Sequence, residues 1–297
     1  MDNRPIIYIP LYNAEDWCRE LILDPGFKYV ASNNCSTDDS ANILIKKGVE
    51  VINQHHNLGR IGNWQFCIDH FRASEGEWMS FLFTGDSFVP NASKYFYDII
   101  PDTQDANIII FQYDIIDDVI SSTRTLNHTR LLGPHESLVL AVEQANWYGG
   151  VLGNFINKKA FFGPYRFSEL GWAADYKMFV DLSANVKIFY SPLTIGKFDA
   201  KSRLYFKKFK YDIQSLYEEN LVKWDAISKL EKIGYSKQML NRLKYVLGLK
   251  VKILEIRFAY KSANSFSDYF LMLLRYNPLV YLEYFIYKML NKNIILL

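Results

Sequence analysis

The chain opens with short apolar runs separated by mixed stretches of about ten residues. Residues 6–9 (IIYI) are apolar, largely β-branched and closed by Pro10, which predicts a buried strand followed by a loop. Ala14 to Leu23 predicts a helix that stops at the turn signal Asp24-Pro25-Gly26. Phe27 to Ser32 predicts a second strand running into the polar stretch NNCSTDDS. There Ser36 or Thr37 can cap a helix reaching about Lys47, with Asp38 and Asp39 in its first turn. Val49 to Asn53 predicts a third strand and Trp78 to Phe83 a fourth; between them Arg60 to Ala73 carries Ile61, Trp64, Ile68 and Phe71 at helical spacing. Strands alternating with helices imply an α/β fold with a mostly parallel sheet covered on both faces. In such sheets ligands bind beyond the carboxyl ends of the strands, so the loops after Ile9, Ser32 and Phe83 should share one crevice.

The 297 residues are 49% hydrophobic and 22% charged, which excludes a chiefly disordered chain and allows a sizeable core. A net charge of +2 argues against a nucleic-acid partner. That charge is unevenly spread: residues 1–204 hold 18 Lys and Arg against 24 Asp and Glu, whereas residues 205–297 hold 16 against 8. The break predicts a boundary near Lys201 to Tyr205, with a domain at 1–204 and an extension at 205–297. Cys18, Cys35 and Cys67 have neither disulfide nor zinc-knuckle spacing. With no signal-peptide pattern and no apolar run of about 18 residues, a cytoplasmic location is expected.

Five motifs then occur in register: IIYIPLYN; SNNCSTDDS; the N-x-G-x3-N-W of Asn57, Gly59, Asn63 and Trp64; ASEGEWMSFL at Ala73 to Leu82; and TGDSFVP at Thr84 to Pro90. In this order the chain resembles family 2 glycosyltransferases, nucleotide-sugar-dependent inverting enzymes of the GT-A fold, across about residues 5–200. The resemblance implies a nucleotide-sugar half over about 1–100 and an acceptor half over about 101–204. It places the donor against Pro10, Tyr12, Asn13, Asn33, Asn34, Ser36, Asn57, Arg60, Asn63, Gly85 and Asp86. Asn33 and Asn34 stand where the family usually has an aspartate for the base; an amide oxygen still accepts that bond but loses charge assistance. The alternative is that the asparagines form a turn and cap. Asp86 is the single carboxylate left of the family's D-x-D, the site that implies Mg²⁺ or Mn²⁺ bridging the diphosphate, unless it is a plain turn aspartate.

In GWAADYKMFVDL the resemblance assigns Asp175 as the general base, with Ala174 replacing the preceding glutamate of the motif. A carboxylate favouring the helix dipole is the plainer account of Asp175. Gly149 and Gly150 allow close approach of backbone to an acceptor, and Trp147, Tyr148 and Trp172 could stack on a sugar ring, although core packing is the default for any aromatic. The family's late histidine is absent; Lys197, Lys201 and Arg203 are the substitutes available for the diphosphate, or else a solvated basic face.

The extension reads as helical. Val246, Leu249, Ile253 and Ile256 share one face, and the apolar, aromatic stretch 266–297 is interrupted by Asp268, Arg275, Glu283 and Lys288. Two readings stand. Residues 264–297 lie on an anionic membrane surface, which suits a lipid-linked saccharide acceptor, or these helices pack on the catalytic domain or on a second copy in a homodimer. The expected function is transfer of a sugar from a nucleotide-diphosphate donor to a saccharide or lipid-linked saccharide hydroxyl, in surface polysaccharide assembly. The alternatives are a non-catalytic nucleotide-sugar or glycan binding protein and a nucleotidyltransferase, the latter lacking the glycine expected in PLYNAED.

Overall fold

A computed structural model describes residues 3–103, 105–116, 121–122, 126, 128–144, 146–199 and 213–262. Its first third is strand and helix in alternation: β1 (Ile6–Leu11), α1 (Glu15–Glu20), β2 (Lys28–Asn33), α2 (Ser40–Lys46), β3 (Glu50–Asn53), α3 (Gly59–Ala73) and β4 (Trp78–Phe81). The middle contributes β5 (Ser87–Phe88), α4 (Ala92–Ile99), β6 (Ile108–Ile116), β7 (Ser121–Ser122), β8 (Arg130–Leu132) and α5 (Pro134–Glu143). Then come β9 (Asn154–Asn157), α6 (Ala174–Ser183), β10 (Ile188–Asp199), α7 (Ile213–Lys232) and α8 (Lys237–Ser262).

The sheet runs β3-β2-β1-β4-β9-β6-β10-β5. Strands β1 to β4 are parallel, as the alternation predicts, whereas β9 lies antiparallel between β4 and β6 and joins the two halves. β1 continues through Pro10 to Leu11. Tyr8 directs its carbonyl to β4 and Leu11 to the β2 side, so the absent N–H of Pro10 would point towards β4, where pairing has already ended at Tyr8. Helix α2 starts at Ser40, later than a Ser36 or Thr37 cap requires. Asp38 instead takes the Ser40 N–H with one carboxylate oxygen and the Glu15 N–H with the other, tying residues 36–39 to the first loop.

Strand alternation divides the core. Ile7, Ile9, Leu11, Ile109 and Phe111 face one side of the sheet; Ile6, Tyr8, Ile108 and Ile110 face the other. The second cluster runs on without a break into α7 and α8 through Val222, Ala226, Leu230, Leu243 and Leu247, packed with Leu138, Val142 and Phe179. Val246 and Leu249 are buried as well. A box of four charges fastens α7 to α6: Lys229 lies 3.0 Å from Asp181 and 3.1 Å from Asp225, and Lys177 lies 3.3 Å from Asp225 and also pairs with Asp181. Helices α7 and α8 therefore pack on the sheet-bearing part of the same chain. The boundary near 201–205, the side chains of Ile253 and Ile256, and the 264–297 segment lie outside what is described. Among the described residues no helix is long and apolar enough to cross a membrane.

The turn into β9 depends on Gly153, at φ +75°, where an added Cβ would come 2.9 Å from Ile195 Cγ2. Gly153→Ala is expected to destabilise the fold by about 1–3 kcal/mol, read from the urea midpoint. A midpoint unchanged from wild type would show that the turn relaxes freely.

Candidate functional site

The three loops beyond β1, β2 and β4 are stitched together. Asn13, itself left-handed at φ 43°, donates its N–H to Ser36 Oγ (3.0 Å) and accepts the Thr37 N–H (2.8 Å). Trp17 Nε1 donates to the Asp86 carbonyl (3.0 Å). One crevice at the carboxyl ends of the strands results, as the sheet topology requires.

The asparagines that the motifs single out shape this crevice from within. Asn33 donates to Asn53 Oδ1 (2.8 Å) and accepts the Ser36 N–H (3.0 Å). Asn34 accepts the Leu58 N–H (2.7 Å) and donates to Asn57 Oδ1 (3.0 Å) and to the Gly59 carbonyl. Asn63 is buried against Ser32, accepting a hydrogen bond from its hydroxyl and donating one to its carbonyl. Asn33, Asn34, Asn57 and Asn63 thus act as braces between loops in this structure. Tyr12 and Asn13 are exposed at the rim.

From the crevice opens a cavity of about 660 Å³. Pro10, Arg60, Thr84 and Asp86 line it from the first half, Tyr113, Gly149, Gly150, Trp172 and Asp175 from the second, and Glu219 from α7. Gly85, at φ +93°, turns the chain after β4 and leaves Asp86 buried at 1% exposure. Arg60 is exposed, its guanidinium 5.1 Å from the centre of the Trp64 ring.

Asp175 sits in the first turn of α6, where Tyr176 N–H donates to its Oδ1 (2.8 Å). Burial pushes its carboxyl up to about 6; the Tyr176 bond and the Arg60 charge oppose the rise, and the Glu219 charge adds to it. A carboxyl in that range is mostly deprotonated at neutrality yet more basic than an ordinary carboxylate, which suits proton abstraction from a hydroxyl. The turn before it is held from α7: one oxygen of buried Glu218 accepts the N–H groups of Trp172 (2.6 Å) and Ala173 (3.1 Å). Burial raises the Glu218 carboxyl, but these bonds, with others from Gln214 and Gly171, outweigh it and hold the group below the usual carboxylate range.

Not all sequence candidates converge here. Trp147 and Tyr148 belong to the core and offer no face to the cavity. Trp147 Nε1 donates to the Ser137 carbonyl (3.0 Å), and the fully buried Tyr148 pairs its hydroxyl with Ser183 (2.8 Å) and stacks on Phe179. The reason is composition: in an aromatic-rich core two adjacent rings after α5 fill the gap to α6. Lys197 is exposed on β10 and does not line the cavity, whereas its neighbour Phe198 does. Lys201 and Arg203 lie outside the described residues. Glu218 and Glu219 escape sequence reasoning because nothing local in a 20-residue amphipathic helix distinguishes them from solvated charges.

Among the described residues no three His, Cys, Asp or Glu side chains cluster to hold a metal ion. Asp86, in the loop after β4, fits a hard cation whose other ligands are phosphate oxygens and water, a mode open to Mg²⁺.

No protein-family model matches the chain, and no curated protein matches it in sequence. Solved structures do. TarS 1–349 of S. aureus, in complex with UDP-GlcNAc, superposes with a TM-score of 0.63 at 13% identity, over 81% of this chain and 70% of that one. The mannosyltransferase PcManGT of Pyrobaculum calidifontis, in complex with GDP-Man and Mn²⁺, gives 0.54 at 10% identity, over 96% and 83%. The chain has the GT-A fold that the motifs predict.

Proposed function

We propose that the protein is an inverting glycosyltransferase that moves a sugar from a nucleotide-diphosphate donor to a hydroxyl of a saccharide or lipid-linked saccharide. The observation that carries this reading is the pairing, in one cavity, of a buried aspartate in the loop after β4 with a second aspartate whose carboxyl is raised to about 6. Such a pair divides the work: Asp86 faces the leaving diphosphate and Asp175 the incoming hydroxyl. Asp175 takes the hydroxyl proton as the oxygen bonds to the anomeric carbon; the bond from that carbon to the diphosphate breaks, and the nucleoside diphosphate departs with the bonding electrons. One in-line displacement inverts the anomeric centre without a covalent enzyme intermediate. Asp86 is the residue that would hold Mg²⁺ or Mn²⁺, which when bound neutralises charge on the diphosphate. Complexes of similarly folded proteins with UDP-GlcNAc and with GDP-Man and Mn²⁺ support a nucleotide-sugar donor.

The test is a thermal-shift screen of the full chain against UDP, dTDP, GDP and CMP, each with Mn²⁺, Mg²⁺ or EDTA, followed by turnover of the corresponding sugar nucleotide. One diphosphate should raise the melting temperature, and EDTA should remove most of that shift, because ligand binding to the folded state stabilises it by mass action. A shift insensitive to EDTA would take the metal role away from Asp86. A nucleotide that binds while its sugar donor is never turned over would make this a binding protein.

A further inference from the structure

Asp175 is not the only carboxylate on the far wall of the cavity. Glu219 lines it too, and Glu218 beside it is anchored on the Trp172 and Ala173 N–H groups. Consecutive helical residues point about 100° apart, so the anchoring of Glu218 fixes the rotation at which α7 presents Glu219. Lys223, one turn on and 3.7 Å from Glu219 Oε2, ties that side chain to its own helix. The remaining wall is largely apolar and includes the rings of Trp64, Phe83, Tyr113, Trp172 and Phe198. Arg60 is the single cation among the described residues lining it, beside the acids Asp86, Asp175 and Glu219.

We infer, resting on the transferase reading above, that Glu219 is an acceptor-binding residue. Its carboxylate takes hydrogen bonds from groups next to the reacting hydroxyl, and the acceptor end therefore presents hydroxyl or amino groups rather than carboxylate or phosphate. An ionised carboxylate only accepts hydrogen bonds, so it must face donors. An anionic substituent beside Glu219 would meet its carboxylate and that of Asp175, with Arg60 the one cation among the described residues lining the cavity, and between apolar walls that repulsion is weakly screened.

Binding of three probes to the full chain tests this by calorimetry: neutral cello-oligosaccharides, chitosan oligosaccharides and oligogalacturonates of matched length. The first two should bind at least about tenfold more tightly than the third, and Glu219→Gln should weaken the neutral probe about tenfold and narrow the gap. Glu219→Asp, which keeps the charge, should retain the discrimination. Equal affinity for oligogalacturonate, discrimination unchanged in folded Glu219→Gln, or no binding of any probe would overturn the inference. Sugar-nucleotide turnover is scored separately: probe binding as expected with no turnover of any donor would overturn the transferase reading and leave Glu219 as a glycan-binding residue.

Discussion

Replacing Asp175 by Asn is expected to lower kcat for sugar transfer by about a thousandfold, within the range that loss of a general base produces, while nucleotide affinity stays nearly unchanged. The substitution is close to isosteric, and an amide oxygen still accepts the Tyr176 N–H, so the loss would report chemistry. In the wild type, activity should rise with pH through about 6 as the carboxyl deprotonates. The same shift makes a stability prediction of definite sign. The folded protein holds this proton more tightly than the unfolded chain does, so stability decreases as pH rises from the ordinary carboxylate range through about 6. Asp175→Asn should therefore melt at a higher temperature than wild type at pH 7 and at nearly the same temperature at pH 4. Transfer at wild-type rate by Asp175→Asn would remove Asp175 from the mechanism.

The largest expected stability effect lies at Phe155. Its ring, fully buried in β9, meets Phe96 at 4.6 Å, Phe27 at 5.6 Å and Phe111 at 5.9 Å between centroids. Truncating it leaves a cavity between β9, β6, α4 and the turn before β2, and Phe155→Ala should cost about 3–5 kcal/mol. The denaturant midpoint should fall with little change in slope. A loss under about 1 kcal/mol would mean that the cluster repacks.

The first half of the fold is legible in the sequence because each strand there is a local apolar run and each connection carries its own helix or turn signal. IIYI, Phe27 to Ser32, Val49 to Asn53 and Trp78 to Phe83 all become strands, with ends moved by one or two residues. The placement of β9 antiparallel between β4 and β6 is not legible: NFIN is four residues long, and its partners lie far along the chain. Asp86 and Asp175 carry local signatures, a loop after an apolar strand and a helix start, and both line the cavity. Asn33 and Asn34 could be read as base contacts or as turn formers; here their amides are engaged between loops. Trp147 and Tyr148 could not be assigned by residue type, since stacking on a sugar and packing in a core demand the same ring. Glu218 and Glu219 reach the site only through the docking of α7 on α6, a tertiary event with no periodic trace.

That docking sets an order of events during synthesis. Strands β1 to β4 pair with near neighbours, so the crevice behind them can form while the ribosome is still making the second half. The turn bearing Trp172 waits for Glu218, and the leucines that seat α7 and α8 continue to Leu247. On that order the wall carrying Asp86 is made before the wall carrying Glu219, so messages truncated before α7 would encode a protein with only part of the cavity lining.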